Sequence, residues 1–260
     1  MILHDGSLLA VSSEIPDQPL TPAETCATGP TTILARRSTD LGAHWLAPVQ
    51  IPEPDPDNAL TWSAAAVAPD GTVYVAWQHT YAGPDGPRLQ IRYSQSADNG
   101  ATWTSRPGIV ADGPGGPELG STSLTTTGGR CSSIWAAPSV AVTPDGTLGI
   151  GYFDHRNDRP IHEPGSVTDY WLSYSHDRGA TWATQHVAGP FDQTQAPSED
   201  GATAEDGTNG PGFLGDYQGI TALKGGFGVS LALAQPLSGA AFSLKYPPTD
   251  VFYGFVPVDS

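Results

Sequence analysis

Two short runs hold most of the residues whose chemistry could serve a site. Asp154-His155-Arg156-Asn157-Asp158-Arg159 sets two carboxylates and two guanidiniums directly after an apolar run. An arginine offers a planar fork of donors to a carboxylate or a pair of sugar hydroxyls, and an aspartate can exchange a proton with a leaving oxygen. Arg156 is therefore the candidate clamp, and Asp154 or Asp158 the candidate acid or base. A salt-bridged loop base accounts for the same residues without any ligand. The second run is Gly212-Phe213-Leu214-Gly215-Asp216-Tyr217-Gln218-Gly219. Its glycines allow a ligand to approach the backbone around Asp216 and Tyr217. The plain reading of Tyr217 is a half-buried ring whose hydroxyl finds a partner. Arg130, ahead of Cys131, is a further candidate, as is Glu163, which together with Asp169 lines the loop after Arg156. His79, His155 and His162 show no metal-site spacing. There is no phosphate loop, serine elbow or His-Glu-x-x-His motif, so no metal or cofactor is expected.

The elements that must position these residues are strands. Asp5-Gly6, Asp70-Gly71 and Asp145-Gly146 are each a turn followed by a β-run, and apolar runs from Trp62 to Ala68 and from Trp135 to Val142 precede two of them. Further along each unit comes a stretch that the chain writes three times: Ser38 to Trp45, Ser96 to Trp103 and Ser175 to Trp182. The pattern is Ser-x-Asp-x-Gly-x-Thr-Trp, with His44 replacing Thr in the first copy. It reads as a hairpin in which Asp accepts from the turn's amides, Gly supplies a positive φ and Trp returns to the strands. The unit is four antiparallel strands with two tight turns, a propeller blade. The chain is thus expected to be all-β and one domain, 1–260, with blades at 1–50, 60–110, 134–188 and 213–257. The first blade is expected to lack most of its first strand, and the fourth to end without the repeated turn. Both tight turns then lie on one face of the ring. The segments 12–31, 78–89, 104–133, 153–169 and 183–212 are expected as long loops on the other face, where a site would sit.

The repeated stretch, with Asp40, Asp98 and Asp177 at its centre, resembles the Asp-box or BNR repeat of the sialidase superfamily of β-propellers. Asp-His-Arg-Asn-Asp and Phe-Leu-Gly-Asp-Tyr-Gln-Gly are also similar to bacterial BNR-repeat proteins of exo-α-sialidase type. The resemblance implies about four blades of a six-bladed ring, from a chain truncated at its N-terminus. It implies a glycoside hydrolase acting on an anionic, sialic-acid-type glycan, with Tyr217 as nucleophile. A phenolate suits such a sugar because a carboxylate nucleophile would be repelled by the substrate's own carboxylate. Asp216 or Glu163 would take the phenol proton, Asp154 or Asp158 would protonate the leaving oxygen, and Arg156 with Arg130 would hold the carboxylate. The family's Arg-Ile-Pro signature is absent, and the nearest string, Val49-Gln50-Ile51-Pro52, lacks the arginine.

Composition bounds the partners. The formal charge is -16 with only two lysines, Lys224 and Lys245, a surface that repels nucleic acid and anionic lipid. No apolar run is long enough to span a bilayer. A glycan or glycoconjugate is the expected partner; the oligomeric state is open. Cys26 and Cys131 fit one disulfide in a secreted protein or two buried thiols, and both fall on loops of the site face. The residues after Met1 are strand and turn rather than a signal peptide, so either the protein stays inside the cell or its natural start lies upstream. A secreted location follows from the sialidase resemblance. Two other readings stand beside the hydrolase. One is a non-catalytic propeller that binds glycan or protein, and the other is a polysaccharide lyase using Tyr or His against a proton beside a uronate carboxylate.

Overall fold

A computed structural model describes residues 1–14, 32–52, 59–83, 86–114, 137–157, 167–192, 218–234 and 249–258. Those residues form fourteen strands in four antiparallel sheets and no helix. The first sheet has β1 (Leu8–Glu14), β2 (Thr32–Ser38) and β3 (Val49–Gln50) in sequence order, and Ile2 makes a single bridge to Leu8 where a fourth strand would pair. The second runs β4 (Ala59–Val67), β5 (Val73–Gly83), β6 (Gly86–Ser96) and β7 (Gly108–Pro114). The third runs β8 (Ser139–Val142), β9 (Leu148–Asp154), β10 (Val167–Ser175) and β11 (Ala183–Asp192). The fourth holds β12 (Gly219–Leu223), β13 (Gly226–Ala234) and β14 (Thr249–Pro257). This is a β-propeller, and its β7 and β11 run to Pro114 and Asp192, past the ends at 110 and 188 expected for their blades.

Several of the expected long loops are cut back: β7 (Gly108–Pro114) and β11 (Ala183–Asp192) take up the early parts of 104–133 and 183–212, and β10 (Val167–Ser175) takes the end of 153–169. Residues 78–89 are not a long loop, because β5 runs on to Gly83 and β6 starts at Gly86 in continuous register from Val73↔Ser96 to Gly83↔Gly86. Alternation explains this. Gln78 pairs with Ile91 and Thr80 with Leu89 on one face, while His79 and Tyr81 share the other with Gln90 and Arg88, so each face has its own partners along the whole hairpin.

The three repeated turns share one geometry. Asp Oδ1 accepts the backbone N–H four residues on, at 2.8 Å in each copy, from His44, Thr102 and Thr181. The other oxygen takes the Thr102 and Thr181 hydroxyls at 2.5 and 2.6 Å. In the first copy His44 Nδ1 stands in for that hydroxyl at 2.6 Å from Asp40 Oδ2, so the exchange of Thr for His preserves the contact. The opening serine adds a bond that the pattern alone did not show: Ser Oγ accepts the Gly N–H at 2.7 to 2.9 Å. Leu41, Asn99 and Arg178 share the left-handed region with the glycines after them, a pair of residues that turns the chain in two steps.

Both kinds of tight turn lie on one face, because they touch across blades. Asn99 donates to Asp5 at 3.0 Å, and Arg178 pairs with Asp70 at 2.7 Å, each reaching from a repeated turn back to the Asp-Gly turn of the preceding blade. Gly100 and Gly179 are seated on that blade too. A Cβ at Gly100 would lie 2.8 Å from Leu9, and one at Gly179 would lie 2.2 Å from the Tyr93 hydroxyl, which donates to the Gly179 carbonyl at 2.8 Å.

Three apolar layers between consecutive sheets form the core. Trp77, Val75 and Ile33 fill the first, Tyr74, Ile91 and Tyr152 the second, and Tyr170, Phe227 and Val229 the third. Each such fully buried side chain contributes about 1.5–3 kcal/mol. β9 is buried at all seven positions because neighbouring blades cover both of its faces. It is therefore a rigid base for whatever follows Asp154.

Candidate active site

The site grows from the loop-bearing end of β9. Asp154 and Asp169 are direct cross-strand partners on β9 and β10, so both side chains point to the same face, with Cβ atoms about 5 Å apart. They are 5% and 1% exposed. Two carboxylates so placed repel each other and lose their hydration, so each needs its own compensation. The structure supplies it separately to each.

Asp154 is matched by Arg156. Its Oδ2 accepts from Arg156 Nε at 2.6 Å and Nη2 at 2.5 Å, and its Oδ1 accepts the Arg156 backbone N–H at 3.3 Å. The guanidinium lies over the Trp171 ring, with Cζ 4.0 Å from the centroid, and Nη2 also donates to the Tyr152 hydroxyl at 3.3 Å. Partial burial works against the Arg156 charge, but the hydrogen bond and charge of Asp154 outweigh it and hold the pKa above its ordinary value. Burial raises the Tyr152 pKa, and its hydroxyl, 2.9 Å from that of Ser173, stays protonated at neutral pH. The Arg156 side chain remains 35% exposed, so a fixed cation is presented to solvent from a buried base.

Asp169 is matched from two sides. Its Oδ1 lies 2.7 Å from His186 Nε2 on β11, and its Oδ2 accepts from Asn157 Nδ2 at 3.0 Å. His186 is the cross-strand partner of Trp171, and their rings meet edge to face at 4.8 Å. Arg156 and His186 thus both lean on Trp171, each with a buried carboxylate behind it.

Of the candidates read from sequence, Asp154 and Arg156 are brought together here. Tyr217, Asp216, Asp158, Glu163 and Arg130 lie outside the described residues, as do Cys26 and Cys131. Asp169 belongs to β10 rather than to a loop, because its position continues the alternation of Trp171 and Ser173 on one face. Gln218, next to Tyr217 in sequence, is fixed against the start of the third blade. Its carbonyl accepts from Ser139 Oγ at 2.9 Å and its amide donates to the Ala137 carbonyl. Ala137 has a φ of 30°, a strained value for a residue with a Cβ. β8, which follows, contacts both β4 and β12, the first strands of the adjacent sheets, and so lies on the inner side of its blade.

Sequence reading missed Trp171 and His186. Their signal is the alternation Asp169, Trp171, Ser173, a polar and aromatic stripe on a strand otherwise apolar. A second polar cluster on β5, β6 and β7 was missed because that segment was expected to be loop. Asp112 accepts from Arg88 Nη2 at 2.6 Å, Gln90 Nε2 at 2.8 Å and the Tyr81 hydroxyl at 3.2 Å. Burial opposes its charge, yet the Gln90 and Arg88 bonds leave its pKa below the usual value. This cluster is closed on itself and lies on the opposite face of the second blade from the Arg156 site.

No protein-family model matches the chain, and no curated protein matches it significantly. Among solved structures it is similar to an α-L-arabinanase of Penicillium chrysogenum complexed with arabinobiose, over 98% of this chain and 61% of the other, with TM-score 0.58 and 17% identity. It is also similar to an α-L-arabinofuranosidase from Fusarium graminearum in complex with an iminosugar inhibitor, over 97% of this chain and 60% of the other, with TM-score 0.52 and 16% identity. The chain therefore spans about three fifths of the length of these two proteins (61% and 60%). At such identities the likeness is one of fold alone, a β-propeller.

Proposed function

We propose that this propeller belongs to a glycoside hydrolase acting on an anionic glycan of sialic-acid type. The observation that carries the reading is Arg156, an arginine held by the buried Asp154 and flattened on Trp171 at the end of a fully buried strand. A pre-oriented guanidinium of this kind loses little freedom on binding a carboxylate. The Ser-x-Asp-x-Gly-x-Thr-Trp repeats, read as Asp-boxes, and the fold shared with an α-L-arabinanase and an α-L-arabinofuranosidase support a glycoside hydrolase.

In this reading Arg156, with Arg130, holds the substrate carboxylate. Asp154 is engaged with Arg156 through both oxygens, so its part is to orient the arginine, and Asp158 protonates the leaving oxygen. Tyr217 attacks the anomeric carbon, and Asp216 or Glu163 takes its proton.

The competing reading is a non-catalytic glycan-binding propeller, and it is favoured by the ion pair itself, since Asp154 already neutralises Arg156. Turnover of a fluorogenic aryl sialoside by wild type, Tyr217→Phe and Arg156→Ala separates the two. Release of the fluorophore by wild type and its loss in both variants supports the hydrolase. Glycan binding without turnover by wild type replaces it with the binder. An unsaturated uronate product from an acidic polysaccharide identifies a lyase instead.

A further inference from the structure

His186 has no part in the reaction as drawn, yet it is built in the same way as Arg156. Each is a partly exposed, cation-capable side chain, 41% for His186 and 35% for Arg156, fixed from beneath by a carboxylate almost wholly buried. Asp169 gains nothing in packing from being charged and sealed beside Asp154. A pair of buried like charges on opposed strand positions destabilises a sheet unless both are matched. Such a cost persists where it fixes the geometry of the groups above it. Asn157, the residue after Arg156, binds the other oxygen of Asp169, so one loop residue ties the two supports together.

The direction of the pair matters. The third sheet is ordered β11-β10-β9-β8, with β8 inside. Arg156 follows β9, Trp171 sits on β10 and His186 on β11. Three strand spacings of about 4.8 Å put His186 on the order of 14 Å outward from the innermost strand. Nε2 faces Asp169, which leaves Nδ1 of His186 with no hydrogen-bond partner among the described residues, and the same holds for Nη1 of Arg156. With Nε2 turned to the carboxylate, Nδ1 is the ring nitrogen left to meet a ligand, as a donor in the imidazolium and as an acceptor in the neutral ring.

We infer that Arg156 and His186, held apart by Trp171, form a radial track for an extended glycan with more than one carboxylate-bearing sugar, and that His186 binds a unit removed from the scissile bond. This rests on the hydrolase reading only for its inner end; the track itself is a binding claim. The substrate class narrows from a single terminal acidic sugar to an acidic oligosaccharide.

Isothermal titration of the full chain with one- to four-residue α-2,8-linked oligosialic acids, and with oligogalacturonates of the same lengths, tests it. The two series distinguish which carboxylate sugar is accepted, and neutral arabino-oligosaccharides serve as the uncharged control. Affinity is expected to rise about tenfold or more from one residue to four in one acidic series and not in the neutral one. His186→Ala should abolish most of that rise while leaving single-residue binding unchanged, and Asp169→Asn should reduce it in the same way. His186→Gln, which keeps a donor, should restore part of it, an outcome that a merely structural role would not give. A His186→Ala protein that binds every length as wild type does, or equal affinity for neutral and acidic chains, overturns the inference. So does a wild type that binds no acidic oligosaccharide. Length-dependent, His186-dependent binding without hydrolysis would sustain the track and remove the hydrolase reading alone.

Discussion

Replacing Arg156 by Met tests the support beneath the site. Asp154 is 5% exposed and loses the Nε and Nη2 donors, keeping the backbone N–H at 3.3 Å. Stripping the partner from a buried pair costs about 3–5 kcal/mol. Arg156 is 35% exposed, so water reaches part of the vacated space and lowers the expected loss below that range, to about 2–3 kcal/mol. The lost stacking on Trp171 adds about 0.5–1 kcal/mol. For a chain of this size each kcal/mol is worth roughly 2–4 °C, so thermal unfolding should move down by roughly 5–16 °C. Adding Asp154→Asn to Arg156→Met removes the stranded charge and should recover at least about 1 kcal/mol. The assay is a double-mutant cycle by denaturant titration with calorimetry as a check. A cost under about 0.5 kcal/mol for Arg156→Met, with no coupling to Asp154, would show that the pair is solvated and that Arg156 is not held as described.

Three further outcomes follow from the repeated turns. Gly179→Ala should destabilise by about 2–3 kcal/mol, from a positive φ of 90° and a clash with Tyr93 that breaks its bond to the Gly179 carbonyl. Gly42→Ala, with a similar φ but its nearest neighbour at 3.6 Å, should cost about 1 kcal/mol, and equal costs in chemical denaturation would refute the blade contact. The Thr181 hydroxyl and amide, with Ser175, lower the Asp177 pKa from 3.8 to about 2. Because the folded value is the lower one, its stabilisation is complete above the unfolded pKa and is lost as pH falls through about 2, so Asp177→Asn should flatten the acid limb between those values in a stability–pH series. His44→Ala removes only a contact whose imidazole is 90% exposed and should cost less than about 0.5 kcal/mol, while the backbone bond to Asp40 persists.

The fold was legible because its turns are written in residues with local meaning. Asp and Gly at fixed spacing bond their own backbone, so the turns of Asp40, Asp98 and Asp177 could be drawn without tertiary information. The β5–β6 hairpin was not, since Gly83, Pro84, Asp85 and Gly86 read equally as a loop and only the pairing of Gln78, His79, Thr80 and Tyr81 across the strands shows otherwise. At the site, Asp154 and Arg156 stood out as charges leaving an apolar run. Asp169 and His186 did not, because their meaning comes from strand register: Asp169 is opposite Asp154 and His186 is opposite Trp171. Register between distant segments is set by packing, which no local spacing encodes.

The central claim is that Arg156 anchors the substrate for hydrolysis of an anionic glycoside. The most direct measurement is the KM and kcat of wild type and Arg156→Lys on a fluorogenic aryl sialoside, beside an uncharged aryl arabinofuranoside. Lys keeps the charge and loses the fork, so the account predicts turnover of the sialoside by wild type and at least a tenfold fall in kcat/KM for the variant. Preference for the uncharged arabinofuranoside, or an Arg156→Lys protein as active as wild type on the sialoside, would contradict it.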